Sequence, residues 1–261
     1  MRKALKKIKV LALCNFKNWV RYPENFGGLL LYIGLVMFVG WYLQMLTGDA
    51  SEEVFGISPV LYYASGLFVF LLIGNQNSAL MAFSAWRMDI LSKQLSPDIF
   101  LLGNYLGQLL TDSLPGIFLL FFSLIMSPPS LNLYEIFMLI SLLIVSFSAS
   151  VGVSYFFGAM GLRMRPIGFV FTSIMMLITI FCGIMIPIQA IPQGLRWISY
   201  SIPYTWSIDG FRALVLNSRP LMPVEREIFL LLVLSIFLIV VGRLTLYRMI
   251  RRIKERKVII R

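Results

Sequence analysis

Six stretches of about 20 mostly apolar residues dominate this chain of 261 residues. In chain order they cover residues 26–46, 59–83, 101–126, 134–157, 167–186 and 228–247. A helix of about 20 apolar residues crosses the roughly 30 Å hydrocarbon core of a bilayer. Apolar residues make up 59% of the chain and charged residues 13%, and a water-soluble domain of this size cannot bury that much apolar surface. The sequence therefore predicts an all-α membrane protein with six transmembrane helices.

Lys and Arg residues are concentrated on one side of this predicted arrangement. Nineteen of the 23 lie before span 1, after spans 2 and 4, or after residue 242, and the other four lie between spans 5 and 6. Positive residues accumulate on the cytoplasmic side of membrane proteins. We therefore expect both termini in the cytoplasm and the chain in the plasma (inner) membrane, with a basic tail over residues 243–261. Topology accounts for the formal net charge of +11, so the charge does not indicate nucleic acid as a partner.

The N-terminal segment has the pattern of an amphipathic helix. Apolar residues recur near helical spacing between residues 3 and 22: Leu5, Ile8, Ala12, Phe16 and Trp19. Basic residues, among them Lys6 and Lys17, occupy the remaining surface, and Pro23 ends the segment. We predict an interfacial helix within residues 1–25, ahead of a six-span domain over 26–261. The alternative is a basic flank that only sets the topology.

A second amphipathic segment connects spans 2 and 3. Its apolar residues recur at helical spacing and are Trp86, Ile90 or Leu91, and Leu95. Pro97 ends it, which predicts a short cytoplasmic helix that either rests on the membrane or docks a soluble partner. Its charged residues have both signs and are Arg87, Asp89 and Lys93. The mixture favours docking, since a helix that rests on a membrane tends to be purely basic.

The longest loop, residues 187–227, is too apolar for a solvated connection. Prolines interrupt it at Pro187, Pro192 and Pro203. We predict short re-entrant or interfacial helices at 193–201 and 204–216, which form a hairpin over about residues 187–218 that caps the outer end. An outer aromatic belt would contain Trp197, Tyr200, Tyr204 and Trp206. Asp209 and Arg212 are three residues apart and could pair on a helix.

Polar residues also occur inside two of the predicted spans. Span 2 contains Asn75, Gln76 and Asn77, and span 3 contains Asn104, Gln108 and Asp112. Such residues either line a substrate path or form hydrogen bonds between helices, and both interpretations stay open. Gly103 and Gly107 form a small-xxx-small pattern that permits close helix contact, although this pattern is common in apolar sequences.

Several catalytic and metal-binding patterns are absent from the sequence. It has no His, and its two Cys, Cys14 and Cys182, are predicted on opposite sides of the membrane. We therefore expect neither a metal site nor a disulfide. There is no P-loop, no G-x-S-x-G and no H-E-x-x-H pattern, so we expect the chain to be no enzyme by itself. Two alternatives from other classes are a non-transporting assembly protein and a proton-coupled carrier that uses Asp112.

The order of these segments resembles the permease subunit of ABC-2 type exporters. Residues 202–212, IPYTWSIDGFR, and residues 191–198, IPQGLRWI, are similar to the family's proline-punctuated segment before the last helix. Residues 87–97 are similar to its segment after span 2, although the Gly and Glu often found there are absent.

The resemblance implies a half-transporter that exports a drug-like or lipid-like substrate, or alternatively a lipid-linked polysaccharide. Two permease subunits, in a homodimer or a heterodimer, would contact membrane lipid and two copies of an ATP-binding subunit. ATP and Mg would bind to that partner, and this chain would hold no cofactor. The implied docking residues are Trp86, Arg87, Asp89, Ile90, Leu91, Leu95, Lys6 and Lys17.

Overall fold

The computed structural model describes residues 2–22, 24–47, 57–74, 83, 96–126, 128–129, 131–163 and 168–259. Within these residues the chain is helical and contains no strand. Nine α-helices are described: α1 Arg2–Arg21, α2 Glu24–Thr47, α3 Pro59–Ile73, α4 Pro97–Met126, α5 Leu133–Arg163, α6 Gly168–Phe181, α7 Arg196–Ser201, α8 Pro203–Leu216 and α9 Val224–Ile259. Two 3₁₀ turns, Ile188–Ala190 and Gln193–Leu195, lie between α6 and α7. The all-helical class that the sequence predicts is confirmed.

Two of these helices are long and apolar enough to cross a membrane. They are Leu133–Arg163 and the Val224–Ile253 part of α9. A third candidate is α4, whose parts Pro97–Thr111 and Leu114–Met126 meet at an angle of 46°. Pro115 lies at this bend. The helix bends there because a proline inside a helix removes one backbone hydrogen bond and its ring crowds the preceding turn.

The other three predicted spans coincide with shorter apolar helices. These are Ile33–Leu46, Pro59–Ile73 and Thr172–Phe181. The structure therefore supports two or three spans by length and composition, and the count of six stays a prediction.

Contacts between helix ends show that α5 and α9 run in the same direction and that α4 runs opposite to both. Tyr134 at the start of α5 donates a hydrogen bond to Glu225 at the start of α9, at 2.9 Å. Asp98 at the start of α4 bonds instead to Arg243, far along α9. We call the end that contains residues 187–218 and the start of α9 the hairpin end, and the end that contains Asp98 the tail end.

Helices α5 and α9 cross in close contact. Gly152 and Gly242 face each other there, and a Cβ atom added to Gly242 would lie 2.7 Å from the Gly152 carbonyl oxygen. A glycine at each position is what lets the two backbones approach this closely. Apolar side chains then pack as two main clusters, one toward each end, represented by Leu67, Phe68, Tyr204, Trp206 and Phe211, and by Phe100, Leu101, Leu162, Leu246 and Ile250. Helices α4, α5 and α9 contribute side chains to both clusters.

Candidate functional site

The hairpin, residues 187–218, is built by alternating turns and short helices. The chain leaves α6 through Gly183, whose φ of +81° favours glycine. Pro187 and Pro192 precede the two 3₁₀ turns, and Pro203 is the first residue of α8, where its missing N–H costs no helical bond. Asn217 ends α8 in the left-handed conformation, a common role for Asn. Helices are thus present at both positions predicted for the hairpin, and their depth in a membrane stays a prediction.

Short-range hydrogen bonds stabilise the hairpin internally. Arg196 donates to the carbonyls of Ile191 and Gln189, at 2.8 and 2.6 Å. Trp206 Nε1 donates to the Tyr200 carbonyl at 3.0 Å, and the two rings stack with their centroids 5.6 Å apart. These bonds satisfy backbone groups that the turns leave open.

Arg212 on α8 attaches the hairpin to two other segments. The residue is 3% exposed. Nη1 donates to the Gly183 carbonyl at 2.8 Å, Nη2 to the Tyr62 carbonyl at 2.7 Å, and Nε to Ser65 Oγ at 3.2 Å. The guanidinium carbon also lies 3.5 Å from the centroid of the Tyr62 ring. One buried cation therefore joins α8 to α3 and to the end of α6.

Space for this guanidinium comes from a glycine on α3. A Cβ atom added to Gly66 would lie 2.5 Å from Arg212 Nη2. Any side chain at Gly66 would consequently displace the cation. The close approach of α3 and α8 and the hydrogen bonds of Arg212 depend on the same glycine.

The predicted pairing of Asp209 with Arg212 is wrong. Arg212 bonds to the oxygens of α3 and Gly183, while Asp209 Oδ2 accepts a hydrogen bond from the Leu221 backbone N–H at 2.7 Å. Positions three apart do share a helix face, but each of the two side chains has partners outside α8. The three buried oxygens also compensate the desolvation of the guanidinium, which one carboxylate on the same helix would not do alone.

The predicted aromatic belt is half wrong. Trp197 and Tyr200 are exposed, as a belt requires, but Tyr204 and Trp206 are buried. The latter two begin α8, which packs against α3 and α5, so their rings belong to the core. Of the three prolines in the hairpin, Pro187 and Pro203 are buried and Pro192 is exposed.

At the tail end, Asp98 receives hydrogen bonds from two neighbouring helices. Tyr155 on α5 donates to Oδ1 at 2.8 Å. Arg243 and Tyr247 on α9 donate to Oδ2 at 2.9 and 2.7 Å. We call these four residues the Asp98 cluster. Side-chain exposure is 56% for Arg243 and 25% for Asp98, so the cluster lies at the rim of the bundle rather than in its core.

Helix α1 packs on the first half of α4. A Cβ atom added to Gly103 or to Gly107 would lie 2.7 Å from the Cβ atom of Leu11 or of Asn15, respectively. Asn15 Nδ2 also donates a hydrogen bond to Asn104 Oδ1 at 2.9 Å. The small-xxx-small pattern therefore marks a real helix contact. Lys6 and Lys17 are exposed on α1.

The predicted substrate-path residues are only partly described. Asn104 takes part in the contact between α1 and α4, which is the interhelical alternative for this residue. Gln108 is half-buried, and its carbonyl accepts a hydrogen bond from Thr111. Asn75, Gln76 and Asn77 lie outside the described residues, as does the side chain of Asp112. The docking residues Trp86, Arg87, Asp89, Ile90, Leu91 and Leu95 also lie outside them.

Sequence reasoning missed the Asp98 cluster. Asp98 is in the first turn of α4, where a carboxylate ordinarily complements the helix dipole. Nothing in the sequence shows that Tyr155 and Arg243, 57 and 145 residues away, reach the same carboxylate. A carboxylate beside an apolar span was the available signal.

The described residues contain no group of three or more Asp, Glu, Cys or His that could hold a metal ion. Their arrangement can join helices at both ends of a bundle, and it places the exposed basic face of α1 beside the start of α4.

No curated protein matches the chain. The family model ABC2_membrane, described as ABC-2 type transporter, matches residues 6–216. Because this match covers well over half of the chain, the protein belongs to the ABC-2 type transporter family.

Proposed function

We propose that this protein exports a hydrophobic or amphipathic substrate, drug-like or lipid-like, and that ATP hydrolysis on separate subunits drives the export. The observation that carries the proposal is the family match over residues 6–216. It makes the chain the membrane permease of an ABC transporter, a family that implies an ABC ATP-binding subunit as partner. Direction and substrate class are the proposed part, and a lipid-linked polysaccharide is the alternative substrate.

The proposed partner surface lies at the tail end. Helix α1 directs Asn15 to α4 and leaves Lys6 and Lys17 exposed. Residues 86–95, the other predicted docking segment, come directly before α4 in the chain. Asp98 on α4 bonds to α5 and α9. A displacement of α1 or of residues 86–95 by the partner would therefore be transmitted through α4 to these two helices. We accordingly place the tail end and both termini in the cytoplasm.

Large apolar side chains on α2 suit a second permease subunit or lipid. Those at least 48% exposed are Leu30, Leu31, Leu35, Phe38, Trp41, Tyr42, Met45 and Leu46. Such a surface is unfavourable in water but not against another apolar surface. We propose a dimer of permeases with two ATP-binding subunits, as a homodimer or a heterodimer.

Energy for transport would come from the partner. ATP shifts the permease between inward-open and outward-open states only if the ATP-bound partner has different affinities for them. The substrate moves because its own affinity also differs between the two states. This coupling requires firm contacts between the partner and the permease.

The docking assignment can be tested by copurification. Leu91→Asp and Leu95→Asp, combined, place two charges on the apolar face that we assign to the partner. We expect the ATP-binding subunit to be lost from the purified complex while the permease still inserts in the membrane. Leu195→Asp, at an exposed leucine of the hairpin, is the matched control and should retain the partner. Unchanged copurification of the Leu91/Leu95 variant would contradict the docking assignment.

A further inference from the structure

Two carboxyl groups meet at the hairpin end, where α8 passes the start of α9. Asp209 Oδ2 accepts a hydrogen bond from the Leu221 N–H at 2.7 Å, and Glu227 Oε1 accepts one from the Met222 N–H at 3.3 Å. Because the two amides belong to consecutive residues, they hold the two carboxyl groups side by side. Gly210, the residue after Asp209, also lies against the Glu227 carboxyl group.

Glu227 is fully buried in this arrangement. Its relative exposure is 0%, and no donor among the described residues reaches its Oε2 atom. A Cβ atom added to Gly210 would lie 3.2 Å from that oxygen and 3.2 Å from the methyl carbons of Leu142 on α5. The surroundings of Oε2 are therefore narrow and apolar, apart from Asp209.

The neighbouring charged and titratable groups bond elsewhere or face solvent. Arg212 on α8 bonds to α3 and to Gly183. On α5, Tyr134 bonds to Glu225, and Glu135 accepts from the Asn132 N–H. At the start of α9 and in the preceding turn, the exposed charged residues are Arg219, Glu225 and Arg226. Within the described part of the chain, no cation forms an ion pair with Asp209 or Glu227.

Ionised carboxylates only accept hydrogen bonds, so two of them in contact repel each other. Two carboxyl groups that share a buried site retain one proton between them. A proton on the buried Glu227 carboxyl group would let it donate a hydrogen bond instead of only accepting one. We propose that Asp209 and Glu227 form a proton-binding site, in which one shared proton fastens the hairpin to the start of α9. The site goes beyond the proposed export function, since it requires neither ATP nor a partner.

The proposed site gives a definite sign to the effect of pH. In the unfolded chain the two carboxyl groups are in water and apart, so no proton is shared between them. The folded state then binds one proton more, and its stability falls as the pH rises. Loss of the proton would leave two negative charges in contact and separate α8 from α9. At alkaline pH we therefore expect the contact between the hairpin and the start of α9 to weaken.

Infrared spectroscopy of the purified full-length chain tests the proton directly. At neutral pH we expect the C=O stretching band of a protonated carboxyl group in the wild-type chain. Glu227→Gln should remove the band, because the pair then has one carboxylate and no acid. Glu225→Gln changes an exposed glutamate on the same helix turn and should leave the band unchanged. Absence of the band from the wild-type chain, or its persistence in Glu227→Gln, would overturn the proposal.

Thermal unfolding between about pH 5 and pH 9 gives a second, independent readout. The wild-type Tm should fall with rising pH, with a slope that corresponds to one proton. Glu227→Gln should lose this slope, since its amide donates to Asp209 at any pH, and Glu225→Gln should retain it. Identical profiles for the wild-type chain and Glu227→Gln would refute the site. If added sodium raises the Tm at high pH in the wild-type chain only, the pair binds a metal cation and the proton site is wrong.

Discussion

The two ends of the bundle each contain an arginine that joins helices, and the two arginines are stabilised in opposite ways. Arg212, at the hairpin end, is 3% exposed and bonds to two carbonyl oxygens and one hydroxyl beside the Tyr62 ring. Arg243, at the tail end, has a side chain that is 56% exposed and bonds to the Asp98 carboxylate. Buried hydrogen bonds are strong and insensitive to salt, whereas exposed ion pairs are weak and screened by it.

This difference indicates where the bundle can move at low cost. The hairpin end has a cation whose loss would leave buried acceptors without donors. The Asp98 cluster at the tail end can open toward water, which replaces its hydrogen bonds. An ATP-binding subunit on the tail end would act on the Asp98 cluster, which is the weaker of the two sets of contacts. Three substitutions, at Arg212, Gly107 and Asp98, test whether the hairpin end is the more firmly held of the two.

Arg212→Ala should have the largest effect. It leaves the carbonyls of Gly183 and Tyr62 without these donors and opens a hole beside Gly66. Since each buried acceptor that loses its donor costs about 1–3 kcal/mol, we expect the free energy of unfolding to fall by about 3–5 kcal/mol. Thermal unfolding of the purified chain in detergent measures the change at low and at high salt. A Tm within one degree of wild type would contradict the role of this arginine, and a marked dependence of the loss on salt would contradict its burial.

Gly107→Leu should have an intermediate effect. The new side chain would meet the Cβ atom of Asn15 rather than the flexible end of a side chain, so α1 has to shift on α4. Overpacking of this kind costs about 1–3 kcal/mol. The control is Gly28→Leu on α2, since a Cβ atom added to Gly28 has no neighbour within 4 Å. If both variants lower the Tm equally, the contact between α1 and α4 does not stabilise the tail end.

Asp98→Asn should have the smallest effect and the clearest dependence on salt. The amide still accepts from Tyr155 or Tyr247 but loses the charge that pairs with Arg243. Exposed ion pairs contribute about 0.2–1 kcal/mol, and we expect the difference from wild type to shrink in high salt. Glu255→Gln removes the exposed pair with Arg251 within the same helix, at 2.8 Å, and should change the Tm still less. A large, salt-independent loss for Asp98→Asn would mean that the two ends are equally rigid.

The sequence predicted the elements of this fold better than their polar partners. Apolar stretches locate the helices, and Pro97 and Pro203 each begin a helix because proline restricts the backbone locally. Arg212 is different, since its acceptors are backbone carbonyls 29 and 150 residues away. Every residue has a carbonyl, so no sequence pattern marks the ones that a buried cation will use.

Asp209 and Glu227 show the same limit. Asp209 was predicted to pair with Arg212, three residues along the helix, yet its nearest described donor is a backbone amide of the following turn. Local spacing describes which side chains share a helix face, but it does not describe the turn that folds back on them. Nothing in the sequence indicates that Glu227 is buried beside Asp209. It lies in the first turn of α9, where acidic residues are common because they complement the helix dipole.

The central claim is that this permease obtains its energy from a separate ATP-binding subunit. Phosphate release from ATP, measured on the purified chain alone and on its complex with that subunit, tests the claim most directly. We expect no release by the chain alone, release by the complex, and none when the P-loop lysine of the partner is replaced by alanine. Hydrolysis by the chain alone, or by the complex with the disabled partner, would contradict the account.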